Sequence, residues 1–235
     1  MFAVIFLVQP RTERWNDYLN LAKYLKPKLE AVDGFIDNER YESMRAKGRL
    51  LSLSTWRDEK AVVRWRSQGE HHGVQEKGRL EIFEDYHLRV GEVIVDTDPP
   101  KGLTIEEKRL DATSVGDAKV ATIAEVTPKE AAQIEAWSET LPALLGLGLH
   151  LDGCIDVEVF ESIYSPGKLL LLGFWRDSPA ARKWSPGQLT EAETVRHRHV
   201  RIIRDYGMFD RREAPQFHPE VDPSRSRVAL APRGP

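Results

Sequence analysis

The first residues of the chain, Phe2-Ala3-Val4-Ile5-Phe6-Leu7-Val8, form an unbroken apolar run that stops at Gln9-Pro10. A run this short fits a buried strand and falls far below the ~20 apolar residues of a membrane span. No basic residue precedes it and no small-residue cleavage site follows, so an export signal is not expected. The pattern then turns helical: Tyr18, Leu21, Ala22, Leu25 and Leu29 predict an amphipathic helix over about 13–31, stopped by Asp33-Gly34. Segments 35–44 and 49–56 read as two strands of a hairpin around Arg45-Ala46-Lys47-Gly48. Asp58 is placed to cap a second helix with Ala61, Val62 and Trp65 on one face. That helix is expected to continue over 71–83, ahead of a last strand near 86–95. The order is β-α-β-β-α-β, the ferredoxin-like arrangement.

The same pattern returns. Asp33 to Trp65 and Asp152 to Trp184 align without a gap at an offset of 119, sharing Asp-Gly, Glu-Ser, Gly-x-Leu-Leu, Trp-Arg-Asp and the closing Trp. The chain therefore divides into a first copy at 1–97, a linker at 98–117, a diverged second copy at 118–213 and a Pro/Arg-rich tail at 214–235, expected to be mobile. In the second copy a strand over 119–126 leads to Thr127, Pro128 and Glu130, which read as the start of a capped helix. Past Trp184 the copies part. Pairing Asp96 with Asp205 drops the offset to 109, whereas pairing Asp85-Tyr86 with Asp205-Tyr206 keeps it near 119. A lone four-stranded sheet leaves one face bare, and a second copy in the same polypeptide can cover it as an intramolecular pseudo-dimer.

Composition narrows the class. With 34 Lys+Arg against 37 Asp+Glu the net charge is -3, which gives no general attraction to nucleic acid or anionic membrane. One cysteine, Cys154, cannot make an internal disulfide or a cysteine metal cluster, so a reducing cytoplasm is the expected setting. No phosphate-binding glycine loop, metalloprotease signature or nucleophile elbow occurs.

Asp33-Gly34-Phe35, Tyr41-Glu42-Ser43, the Leu53–Asp58 run, Trp65, and His71 with Gln75, Gly78 and Arg79 together resemble the antibiotic biosynthesis monooxygenase family. The likeness is clear over 2–97 and weaker over 118–206. It implies an α+β fold of two tandem ferredoxin-like modules closing as an intramolecular dimeric α/β barrel. Its activities range from cofactor-free oxygenation of electron-rich aromatics to haem degradation and isomerisation, so the fold alone does not fix the chemistry.

Of the candidate residues, His71 is the expected base. A histidine beside an aromatic-lined cavity can take a proton from a phenolic substrate, and the resulting anion can pass an electron to dioxygen without a cofactor. Trp65, His72, Gln75 and Phe83 are expected to shape that cavity in the first copy. Trp184, His197 and His199 are candidate ligand contacts in the second copy, with His197 and His199 on one face of an arginine-rich strand. The plainer reading of that strand is a solvent-facing outer one. His87, His150 and His218 read as structural or exposed, and Trp56 and Trp175 as core. Two histidines without a third ligand make a weak metal signal, and no metal is expected. Haem remains an alternative ligand, although relatives that degrade haem place a histidine ten residues after the tryptophan, where this chain has Gln75. The expected function is thus a monooxygenase of a small aromatic or polycyclic compound, the alternative a haem- or small-ligand-binding protein. A homodimer of the tandem chain through free sheet edges is also open.

Overall fold

The computed structural model describes residues 1–148, 151–187 and 189–222, so His150 and the tail from residue 223 lie outside the described residues. The first copy contributes β1 (Phe2–Pro10), β2 (Phe35–Ser43), β3 (Leu50–Trp56) and β4 (Phe83–Asp96). The second contributes β5 (Val120–Pro128), β6 (Cys154–Ser162), β7 (Leu169–Trp175) and β8 (Ala192–Gly207). The eight strands close into one barrel in the order β1-β3-β2-β6-β7-β5-β8-β4, with every neighbouring pair antiparallel. Each copy supplies four adjacent strands, β4-β1-β3-β2 and β8-β5-β7-β6.

Two seams join the copies. Along β2–β6, Tyr41 faces Ser162, Glu42 faces Glu161 and Ser43 faces Phe160. The central pair is one repeat position met by its own copy, so the duplication is written into the register as a local two-fold. The β4–β8 seam is longer, running from His87 opposite Gly207 to Asp96 opposite Arg198. At its bulge Gly91 packs so closely that a Cβ would lie 2.3 Å from the Arg201 carbonyl oxygen and 2.5 Å from Val200 Cγ1. Backbone cannot step aside as a flexible side chain can. Gly91→Ala should therefore cost about 1–3 kcal/mol of overpacking, or roughly 2–12 °C of Tm for a chain this size; an unchanged melting curve would show that the seam is looser than described.

The barrel interior is a shared core. Ile5, Tyr41, Leu51 and Leu53 from the first copy meet Ile123, Phe160, Leu170 and Leu172 from the second, all at most 2% exposed. Burying each large apolar side chain is worth about 1.5–3 kcal/mol, and a single copy would leave this face in water. No strand edge of the described barrel stays open, so a pairing of chains through sheet edges, which the sequence leaves open, has no edge to use.

The interior also holds charge. Glu125 accepts from the Tyr41 hydroxyl, Arg198 Nη2 and Lys168 Nζ, each at 2.5 Å, while Arg198 Nη1 donates to Thr55 Oγ1 at 3.2 Å. This corrects the reading of the arginine-rich strand as an outer one. β8 lies between β5 and β4, and its Arg198 is 1% exposed.

Helices cover the outside: α1 (Trp15–Glu30), α2 (Glu59–Arg66) and α3 (Gly69–Lys77) over the first copy, α4 (Gln133–Leu144) and α5 (Ser178–Arg182) over the second. Asp58 and its repeat Asp177 cap α2 and α5 as expected, accepting from Ala61 N and Ala180 N at 2.8 Å. Thr127 does not cap. It and Pro128 stay in β5, where Pro128 sits at a register shift opposite Ala192, and α4 begins only at Gln133. Pro10 opposite Phe83 matches Pro128 opposite Ala192, which sets the last strand at the 109 offset. The second copy is thus about ten residues shorter here, and among its described residues it has no counterpart of α3 or of the π-helical turn, Gly78–Ile82, of the first. Among the described residues no helix is long and apolar enough to cross a membrane.

Candidate active site

The two copies treat the space between sheet and helices differently. At offset 119 the first copy has Ala22 where the second has Leu141, and both face inward from the first helix of their copy. The closing tryptophans diverge as well. Trp184 lies parallel to Trp175 at 6.3 Å and donates Nε1–H to the Leu145 carbonyl at 3.0 Å, filling its half together with Trp137, Leu141 and Leu145. Trp65 instead stacks on His71 at 4.1 Å, with the rings 19° from parallel. A cavity of about 190 Å³ opens beside Ala22 and Trp65, walled mainly by the first copy and closed by Tyr206, Arg211, Gln216 and His218.

The cavity wall is largely apolar. Leu21, Leu25 and Leu29 come from α1, Val62 from α2, Val74 from α3, and Val4, Leu88 and Val90 from the outward faces of β1 and β4. Trp65, His71, Gln75 and Phe83 all line it, which brings four of the expected site residues together. His72 does not line it but stacks on His218, which does.

Trp184, His197 and His199 lie elsewhere. His197 meets Trp184 edge-on at 5.0 Å and His199 at 4.7 Å, in the packed half of the second copy. None of the three lines this cavity. Burial lowers His197 to about 3 and lowers His199 too, so both are neutral near pH 7.

His71 is held in one protonation state and one tautomer. Burial outweighs its hydrogen bond and lowers it to about 4, so the ring is neutral near pH 7. Its Nδ1 lies 3.1 Å from the Trp65 carbonyl oxygen, which can only accept. Nδ1 therefore carries the proton, and Nε2 keeps the free lone pair of a general base.

The cavity also has a polar side that the sequence did not disclose. Lys26, Arg40, Arg66, Arg79 and Arg211 line it, and among the described residues no aspartate or glutamate does. The tail, expected to be mobile, is packed here as far as it is described. Gln216 Nε2 donates to the Arg66 carbonyl at 2.9 Å, the Pro219 carbonyl accepts from Arg79 at 3.3 Å, and Val221 and His218 are buried. His218 is thus buried on the cavity wall and not exposed.

A family model described as antibiotic biosynthesis monooxygenase matches residues 1–77 and 120–188, one segment in each copy. The chain belongs to the antibiotic biosynthesis monooxygenase family. Within that family it is 40% identical over 226 residues to "Jasmonate monooxygenase ABM" of Pyricularia oryzae, covering 93% of this chain and 99% of the relative. An uncharacterized Bacillus subtilis protein, YqjZ, is 33% identical over 93 residues, 39% of this chain and 78% of its own length. That is about the span of one copy. Among solved structures, aldoxime dehydratase in complex with butyraldoxime superposes with a TM-score of 0.54 over 86% of this chain and 79% of its own, at 14% identity. This last likeness concerns the fold alone.

Proposed function

We propose that the chain is a monooxygenase with one working site, the cavity of the first copy, built on two ferredoxin-like modules of which the second is mainly structural. The observation that carries this reading is a neutral, tautomer-fixed His71 on the wall of an apolar cavity, in a chain close over nearly its whole length to a relative named as a monooxygenase. The relative's named substrate, jasmonate, is the first compound to try, beside small aromatic or polycyclic compounds with an acidic O–H or activated C–H. At about 190 Å³ the cavity is smaller than the roughly 300–1,000 Å³ of pockets for drug-sized ligands. It suits such compounds better than haem, and no cofactor is proposed.

In the proposed reaction His71 Nε2 accepts the substrate's proton. A weakly basic imidazole does this against a gradient, and unpaired arginines on the same wall offset it by stabilising the anion formed. The anion passes one electron to dioxygen, and the substrate radical and superoxide combine as a peroxide, which His71 reprotonates. For an activated methylene, loss of water then leaves a carbonyl: one oxygen atom stays on carbon, and the other departs as water with the two substrate hydrogens. Hydroxylation at an unactivated carbon would instead require an external two-electron donor. Apolar walls from α1 and β4 exclude bulk water from the anion. A cytoplasmic setting is the one the single thiol supports, and a homodimer would form through surfaces other than strand edges.

Oxygen uptake with jasmonate and with a hydroquinone and anthrone panel, with and without NADPH and a reductase, tests the reading. Label from ¹⁸O₂ should enter the product. No uptake with any member under either condition would end it.

A further inference from the structure

Arg79 is 3% exposed, and among the described residues no aspartate or glutamate lines the cavity wall it shares with Arg40, Arg66 and Arg211. Elsewhere in this protein buried arginines do have acids: Arg198 has Glu125, Arg89 has Asp205 and Arg196 has Asp96. Burying a cation without a counter-charge costs several kcal/mol in general, so an uncompensated cluster at one end of a cavity calls for an anion from outside. Carbonyls give only partial relief here. Arg79 donates to those of Met208 and Pro219, and Arg211 to that of Gln216.

The donors are aimed together. Tyr86 Oη accepts from Arg79 Nη1 at 2.6 Å and from Arg211 Nη1 at 2.7 Å. Both hydrogen bonds fall on the phenol oxygen, and its own O–H has no acceptor among the described residues. Beside them the Nε groups of Arg66 and Arg79 are buried without partners. The π-helical turn places Arg79 here, the end of α2 places Arg66, and the chain after β8 places Arg211.

We propose that this end of the cavity is a carboxylate site: it takes the head group of a small amphiphilic organic acid, with Arg79 and Arg211 as charge partners and Tyr86 as a hydroxyl donor, while the apolar body lies against α1 toward His71. A carboxylate fits because guanidinium forks match two coplanar oxygens, and because the rest of the wall is apolar, suiting a molecule charged at one end only. The inference rests on the reading of this cavity as the substrate site and deepens it, giving the substrate's charge and which end is held.

Calorimetric titration of the full chain at pH 7 with jasmonate and octanoate, each against its methyl ester, tests it. The acids should bind at least tenfold more tightly than the esters. Arg211→Gln should weaken acid binding tenfold or more and leave ester binding within about twofold, and Arg66→Gln provides a second variant on a different element should the first misfold. Acids and esters of equal affinity, no binding of either acid at millimolar concentration, or acid binding untouched in both variants would overturn the carboxylate site. Acid binding with no oxygen uptake from any member of the substrate panel, with or without reductant, would end the monooxygenase reading and keep the site. Equal turnover of acid and ester would do the reverse.

Discussion

His71→Ala should lower kcat/KM for any oxidised substrate by about 10²–10⁴-fold, the usual contribution of a positioned general base, while substrate binding changes little. The variant loses one hydrogen bond to the Trp65 carbonyl and one ring stack, so it should still fold. The wild-type pH profile supplies an independent check. His71 must be unprotonated to accept a proton, and burial sets it at about 4. Its part in the rate should therefore be flat through neutrality and fall only as pH drops through that value. An acid limb near 6.5 would mean that the ring is not buried as described. His197→Ala serves as the contrast: that ring packs against Trp184 in the filled half, so it should affect stability and leave kcat unchanged. If His71→Ala keeps a third or more of the wild-type kcat, the base is another group.

These two histidines show what the sequence disclosed and what it withheld. The repeat, the strand and helix order and a cavity in the first copy were all legible, because apolar periodicity and a gap-free offset report elements directly. Trp65 and Trp184 occupy identical repeat positions, yet one borders a cavity and the other fills it. That difference comes from neighbours, Ala22 against Leu141, and from a helix segment present in only one copy. β8 was misleading for a related reason. Alternating Arg and His looks like a wet edge, but a closed barrel has no wet edge, and alternate residues point to a core or to helices. Arg66, Arg79 and Arg211 lie far apart along the chain with no shared period, and a basic residue reads as surface unless its burial is known. One signal is present in the sequence: the tail's prolines suggest mobility, yet Gln216 and His218 follow closely on a strand end, as a covering segment does.

The largest stability effect is expected at Glu125, where the two copies are joined through the barrel interior. Tyr41 and Thr55 come from the first copy and Lys168 and Arg198 from the second, and all four connect to this carboxylate directly or through Arg198. Burial pushes the Glu125 carboxyl up, but Arg198 and Lys168 outweigh it and hold it at about 2. Glu125→Ala leaves Arg198, 1% exposed, without its counter-charge, and removing one partner of a buried pair costs about 3–5 kcal/mol. Chemical denaturation at pH 7 should show a loss of that size. The sign with pH follows from the depressed value. Because the folded carboxyl titrates below the unfolded one, near 4.5, the stabilisation is complete above 4.5 and fades as pH falls toward 2. The gap between wild type and Glu125→Ala should narrow over that window. Charge complementarity, rather than volume, is separated by the double variant Glu125→Leu/Arg198→Met, which removes both charges and should recover much of the loss. A double variant no better than Glu125→Ala would mean that the glutamate acts by filling space, and that the charge network does not bind one copy to the other.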